Sequence, residues 1–309
     1  PIGLAIVAQF RDHPDTPENE HEEFGKMLML AIAYSASLGG MATLIGTPPN
    51  LVLAGIVKEL YEVEINFLDW MLFAFPLSAL LLIICWVYLT RFAVKLKADN
   101  FTGGVDEIKR QRKLLGKISS NEKRVLVVFV LTAFAWITRS FLLSPILPAI
   151  DDTLIALIAG IALFVIPSSD SKDGVLHWDD AKKIPWGILL LFGGGLAIAQ
   201  GFKDTGLAKW LAEQLTQLDF LPLLVMTLVL VAVINFLTEV TSNLATTAMI
   251  LPVLAPLAAA MGVHPYIFMV SATLAASCAF MLPVATPPNA VVFGSGYVSM
   301  SSMIRAGLG

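Results

Sequence analysis

Thr47, Pro48, Pro49 and Asn50 recur in the same order as Thr286, Pro287, Pro288 and Asn289, and both copies interrupt strongly apolar stretches. Two adjacent prolines cannot continue a helix, because each lacks an N–H and each pushes the residue before it out of the α region. A helix broken at membrane depth exposes carbonyl oxygens that suit a hard cation and N–H groups that suit an anion. A break repeated in corresponding places of two halves points to the binding site of a transporter. The other polar cluster in an apolar setting is Thr238, Glu239, Ser242 and Asn243. Thr238 and Ser242 are four apart and share one helix face, so their hydroxyls can serve one cation. Glu239 is ionisable at membrane depth, which fits either a functional role or a hydrogen-bonding anchor. No Lys or Arg lies near either break in the sequence. A dianion held there needs bound cations and helix dipoles to neutralise it, which argues for coupling to cations.

The elements that must position these groups are membrane spans. The 309 residues are 57% apolar and only 14% charged, against about 25% charged in a soluble domain. The expected class is an all-α polytopic membrane protein. The net charge of −4 and the lack of a basic, aromatic-rich face give no case for nucleic acid. Cys85 and Cys278 lie in apolar segments and read as packing residues. The four histidines show no metal-ligand spacing. Gly193, Gly194 and Gly195 lack the flanking residues of a phosphate loop and read as a close-packing site. The six tryptophans, Trp70 among them, fall mostly near span ends and read as interface anchors.

A span needs about 20 apolar residues. Helices are expected over 27–45, up to the first break at Gly46, then over 51–57, 68–89, 125–143, 153–166 and 184–200. Residues 201–218 are amphipathic and read as an interfacial helix. Residues 222–261 are apolar but interrupted by Pro222, Glu239, Ser242, Asn243, Pro252 and Pro256, which fits a re-entrant hairpin. Residues 266–283 run to the second break. The stretch 90–124 carries ten lysines or arginines and is placed in the cytoplasm by the positive-inside rule. Lys172, Lys182 and Lys183 fall on the same side, and the acidic turn over 58–64 on the other.

Counting spans between the two tetrapeptides turns the first broken helix outward and the second inward, so the repeats are inverted. Residues 1–60 then hold the end of a first hairpin and the first broken helix, and 61–90 a scaffold helix. Residues 91–124 form a basic cytoplasmic arm, and 125–184 further scaffold helices and a loop. Residues 185–309 hold the second repeat. Aligning the repeats matches Pro1 and Ile2 with Pro252 and Val253. The counterpart of Ser242 and Asn243 would then lie upstream of the first residue. On this alignment both ends are cut, and the chain alone is expected to be inactive.

The stretch from Ala276 to Val292 is the most specific here. Ser277, Phe280, Pro283, Ala285, Asn289 and Val292 sit at the spacings of the signature of the divalent anion:sodium symporter family, which includes sodium/dicarboxylate and sodium/sulfate transporters. The chain resembles that family over most of 27–298. Ser242 and Asn243 resemble its Ser-Asn-Thr motif, with Leu244 in place of the threonine.

The resemblance implies one sodium site from Thr238, Ser242, Asn243 and the backbone of Ala285. It implies a pseudo-symmetric site using the backbone of Gly46. A substrate carboxylate would lie between Asn243, Thr47 with Pro48, and Thr286 with Pro287. It further implies a homodimer in the bilayer of the bacterial inner membrane, working by an elevator-type motion. The scaffold would include 68–89, 125–143 and 153–166.

The expected activity is sodium-coupled uptake of small divalent anions, C4-dicarboxylates such as succinate first, then citrate or sulfate. A sodium-independent exchanger, a metalloid oxyanion permease and a passive anion channel are the alternatives. No convergent acid–base or nucleophile set supports an enzyme.

Overall fold

The computed structural model describes residues 3–4, 6–7, 18–93, 109, 113, 116–169, 174–182, 190, 193–194, 197, 200–201, 204–207, 210 and 222–309. Among these residues the fold is helical, and the one extended pairing is an isolated bridge between Pro167 and Gly174. Several sequence expectations lie outside the described residues: Pro1 and Ile2, most of the basic arm, Lys172 and Lys183. So do most of 184–200 and 201–218, including Gly195.

Helix α1 (Glu18–Gly40) ends on two glycines, and α2 (Pro48–Tyr61) begins on two prolines. Proline at the first helical positions gives up an N–H that would be unpaired anyway. Helix α2 stops at Glu62, which takes a left-handed φ of 56° and returns its N–H to the Lys58 carbonyl. Asn66 caps α3 (Phe67–Tyr88), which runs on through a wider π turn, Leu89–Ala93. Ser119 and Glu122 form a reciprocal capping box at the start of α4 (Ser120–Thr138), which also ends in a π turn, Arg139–Leu143. Asp151 caps α5 (Asp152–Val165), and α6 (Trp178–Ala181) is a single turn.

The second half holds α7 (Leu223–Val240), α8 (Asn243–Ala260), α9 (Pro265–Ser277), α10 (Pro287–Phe293) and α11 (Met300–Gly307). Phe67–Ala93, Ser120–Leu143 and Leu223–Val240 are long and apolar enough to cross a membrane, and α5, α8 and α9 are shorter apolar helices. Their outward faces are apolar too: Leu72, Phe75, Phe129, Leu131 and Val233 are each more than half exposed. A surface of that kind is solvated by lipid rather than water, and the protein is a multi-pass integral membrane protein.

The expected spans 68–89, 125–143 and 153–166 coincide with α3, α4 with its π turn, and α5. The broken helices differ from expectation. Helix α1 ends at Gly40 rather than Ile45, and α9 ends at Ser277 rather than Pro283. Each break is therefore a loop, over 41–47 and 278–286, rather than a kink at the prolines. The prolines start the second half of each helix, and side chains described below hold the freed backbone. Helix α11 was not expected from the sequence.

The packing is crossed. The first half of the first broken helix, α1, packs on the second half of the other, α10. Helix α2 packs on α8 and α9. One apolar cluster joins α2, α3, α7, α8 and α9 around Leu53, Ile56, Leu251 and Met269. The other joins α1, α10 and α11 around Leu30, Val292 and Met303. Between the clusters the two break loops meet, with Cys278 Sγ 3.8 Å from Met41 Sδ.

Candidate functional site: two helix breaks and the α7–α8 turn

The two breaks are alike in detail. Thr47 precedes α2 with φ −144° and ψ 140°, and Thr286 precedes α10 with φ −141° and ψ 150°. Both threonines are buried, while Pro48 and Pro287 are exposed. Asn50 donates its side-chain amide to the Thr43 carbonyl at 2.9 Å and the Met41 carbonyl at 3.4 Å. Asn289 donates likewise to the Leu282 carbonyl at 3.1 Å and the Ala279 carbonyl at 3.0 Å. In each case a side chain from the start of the second half-helix satisfies carbonyls of the loop before it.

The turn between α7 and α8 meets the second break directly. Ser242 caps α8, and the Asn243 N–H donates to the Ala285 carbonyl at 3.2 Å. Asn243 is buried, and its side-chain oxygen accepts from its own neighbour, the Leu244 N–H. Thr238 is fully buried and donates its hydroxyl to the Ala276 carbonyl at 3.2 Å, leaving the oxygen's lone pairs for a further partner. Asn243 and Ala285 thus meet where the α7–α8 turn touches the second break, while Thr238, near the end of α7, faces the end of α9. Ser242 is exposed. Gly46, Thr47 and Pro48 belong to the other break.

Glu239 is 3% exposed. One carboxylate oxygen accepts the N–H groups of Phe280 at 2.6 Å and Met281 at 3.0 Å, and the other those of Met281 at 3.0 Å and Leu282 at 2.9 Å. Of the two readings left open by the sequence, the geometry carries the anchor. Charge-assisted bonds to backbone N–H are among the stronger ones, at about 1.5–3 kcal/mol each. They also occupy donors that the break was expected to offer an anion. The second loop therefore has fewer N–H groups for a substrate than helix breakage alone suggests.

Asn235 adds a bond to the Cys278 carbonyl at 2.6 Å, and Tyr34 donates its hydroxyl to the Phe280 carbonyl at 3.1 Å. Neither was picked out from the sequence. Asn235, Thr238 and Glu239 do stand three and four residues apart on an otherwise apolar helix, and a polar stripe of that kind is a readable signal. Trp70 is corrected as well. It is 3% exposed, and its indole N–H donates to the Met41 carbonyl at 3.0 Å, so it braces the first break rather than anchoring an interface. Ser78 reaches the Leu38 carbonyl at 2.6 Å from the same helix, α3.

A cavity of about 490 Å³ lies beside the first break, between Leu44, Ile45 and Leu51 on one side and Phe67, Trp136 and Ala156 on the other. Lys58, Glu64 and Asp152 also line it. Nearby, Arg139 pairs with Glu64 at 3.0 Å and Asp152 at 2.8 Å, which ties the α2–α3 connection to α4 and α5. The cavity does not include Asn243, Thr47 or Thr286, so it is not the expected substrate position.

Known proteins resemble this chain along its whole length. A sodium-dependent dicarboxylate transporter of Staphylococcus saprophyticus is 44% identical over 313 residues, covering 99% of this chain and 60% of the relative. The protein of the same description in Staphylococcus aureus strain USA300 is 44% identical over the same shares. The chain therefore spans about 60% of the length of these curated relatives. Residues 1–309 match the family described as the sodium:sulfate symporter transmembrane region. Paired helix breaks, an oxygen-only junction and a match over the full chain lead to one assignment: the chain belongs to the sodium:sulfate symporter family.

Proposed function

We propose that this chain is the core of a secondary transporter that couples sodium entry to uptake of small divalent anions, with C4-dicarboxylates such as succinate as the first substrates. The observation that carries the reading is the junction at which the Asn243 N–H meets the Ala285 carbonyl, with the Ser242 hydroxyl next to it in the chain and the Thr238 hydroxyl one helical turn before that. It offers hydroxyl, amide and carbonyl oxygens and no fixed positive charge, a set that suits a hard monovalent cation. The relatives' names, sodium-dependent dicarboxylate transporter, support the same cation and substrate class.

In this reading sodium binds first, at Thr238, Ser242, Asn243 and the Ala285 carbonyl, and at a related site built on the Gly46 backbone. The anion then binds between Asn243, Thr47 with Pro48, and Thr286 with Pro287, its charge offset by the cations and by the N-terminal ends of α2 and α10. Both substrates cross together when a unit of α1, α2 and α7–α10 moves against α4 and α5. We place α3 in the moving unit, because Trp70 and Ser78 bond to the first broken helix. The Arg139 cluster then lies where the two units meet. The re-entrant course of α7–α8, the inverted repeat, the homodimer and the bacterial inner membrane belong to the same proposal.

The test is succinate uptake into proteoliposomes by the intact transporter, with and without a sodium gradient, alongside Asn243→Ala. Sodium-dependent uptake that Asn243→Ala reduces more than about a hundredfold supports the coupling and the site together, since a first-contact ligand to both ion and substrate is lost. Uptake indifferent to sodium would replace symport by exchange.

A further inference from the structure

We propose that Asn50 and Asn289 are paired positioning residues that set the geometry of the two cation sites without touching the cation. The inference rests on the sodium-coupled reading above and adds residues to it. Both side chains are fully buried. Both donate their amide hydrogens to two carbonyls of the preceding break loop. In both, the side-chain oxygen is buried with no hydrogen-bond partner among the described residues. A carboxamide free to choose would satisfy its acceptor as well as its donors. An orphaned buried acceptor is costly. The same orientation recurs at equivalent places in the two breaks, and in each it is the one that satisfies two carbonyls of the loop.

The position of each clasp explains its use. Asn289 spans Ala279 to Leu282, the stretch just before Ala285, whose carbonyl faces the α7–α8 turn. Asn50 spans Met41 to Thr43, just before Gly46. Each side chain therefore closes its loop and fixes the direction in which the carbonyl at the loop's end, Ala285's or Gly46's, points. A cation site made of backbone oxygens depends on that direction, and a loop that can relax loses affinity through the cost of reordering it.

Asn→Leu is the sharp substitution at each position. It keeps the size, adds no charge, removes the clasp and also removes the orphaned oxygen. If the carboxamide did nothing beyond filling space, Leu would be neutral or stabilising. In sodium-driven succinate uptake by the intact transporter, Asn50→Leu and Asn289→Leu should each raise the sodium concentration for half-maximal rate by about tenfold, from two lost bonds within the membrane. The succinate half-saturation at saturating sodium should stay within about twofold, because the loop is reordered once sodium is bound. The two loops touch at Met41 and Cys278, so the double variant should raise the sodium requirement beyond either single variant, and its departure from the product of the two shifts measures their coupling. Asn→Ala, which adds no charge and removes both the donors and the orphaned oxygen with less bulk, is the second variant if Leu folds poorly. Unchanged sodium dependence, equal shifts for sodium and succinate, or an effect from only one of the two positions would overturn the inference.

Hydrogen exchange without sodium or succinate tests the clasp apart from transport. The 278–286 amides should exchange faster in Asn289→Leu only, and the 40–46 amides in Asn50→Leu only. Native exchange in both variants would overturn the clasp whatever uptake does. A native protein that takes up no succinate with sodium would instead sink the transport reading, and the exchange result would still decide the clasp.

Discussion

The first and second breaks share an asparagine clasp and the same backbone entry into the following helix, yet they are braced from different sides. The second loop is gripped by α7 through Asn235 and Glu239, and by Tyr34 of α1. Its backbone is also covered at close range by α11, where a Cβ on Gly307 would lie 2.5 Å from the Phe280 carbonyl carbon. The first loop is gripped by α3, through the Trp70 indole and, just before the loop, the Ser78 hydroxyl. Among the described residues, the carboxylate that seats on a break loop is Glu239, on the second. The difference teaches that two breaks with one tetrapeptide need not respond alike. Changes in α7 should disturb the second break, and changes in α3 the first.

The sharpest contrast is at the residue before each Thr-Pro-Pro-Asn. The position is Gly46 in the first copy and Ala285 in the second. A Cβ on Gly46 would lie 2.2 Å from the Gly40 carbonyl oxygen, an overlap that only backbone movement can relieve. The second loop already accommodates the methyl group. Gly46→Ala is therefore expected to abolish sodium-driven uptake, a loss of several kcal/mol in the ordered loop and more than about a hundredfold in rate. Ala285→Gly should cost less than about threefold, the entropy of one freed backbone position. Equal losses in the two variants would show that the breaks are not distinct in this way.

Next in size is Glu239→Gln. The carboxylate accepts from both oxygens, and glutamine turns one of them into a donor that faces N–H groups. Leaving a buried donor unsatisfied costs about 1–3 kcal/mol, or roughly five- to 150-fold in the fraction of ordered loop. Faster hydrogen exchange at Phe280, Met281 and Leu282, with Thr43 unaffected, is the outcome that places Glu239 at the second break alone. Equal acceleration at both loops would mean that the two breaks are one cooperative unit.

Much of this was legible before the structure. Adjacent prolines announce a helix boundary by steric exclusion, so both breaks were found, and the apolar runs at α3, α4 and α5 left no other reading. The loops' extent was not legible. Nothing local in 41–45 or 278–282 forbids helix. Those residues leave it because Asn50, Trp70, Asn289 and Glu239 supply partners to their backbone; of these, Trp70 was read as an interface anchor, Glu239 was left between two roles, and the asparagines were read as part of the repeated tetrapeptide. The sequence left Glu239 between a functional group and a hydrogen-bonding anchor, since a buried carboxylate looks the same in sequence whether a cation or a row of N–H groups meets it. Trp70 was misjudged because a tryptophan near a span end is equally an interface anchor or an inward-facing donor, and only the neighbour it meets separates the two.

Trp70→Phe gives the smallest effect and bears on which helices move. Phenylalanine keeps most of the apolar contact of a ring that is 3% exposed and removes one N–H donor to the Met41 carbonyl. Side-chain hydrogen bonds between membrane helices contribute about 0.6 kcal/mol on average, so a shift of about threefold is expected. Where that shift falls distinguishes two accounts of α3. If α3 travels with the first broken helix, the bond persists through the cycle. Its loss then loosens the loop equally in every state, so that the sodium half-saturation rises and the maximal rate holds. If α3 is stationary, the bond exists in only one state. Removing it then destabilises that state, changes the maximal rate, and leaves a sodium shift that depends on the side from which sodium is supplied. Sodium titrations of Trp70→Phe in proteoliposomes, with the gradient applied in each direction, separate these outcomes. A changed maximal rate with a side-dependent sodium shift would return α3 to the scaffold and leave α1 and α2 to move past it.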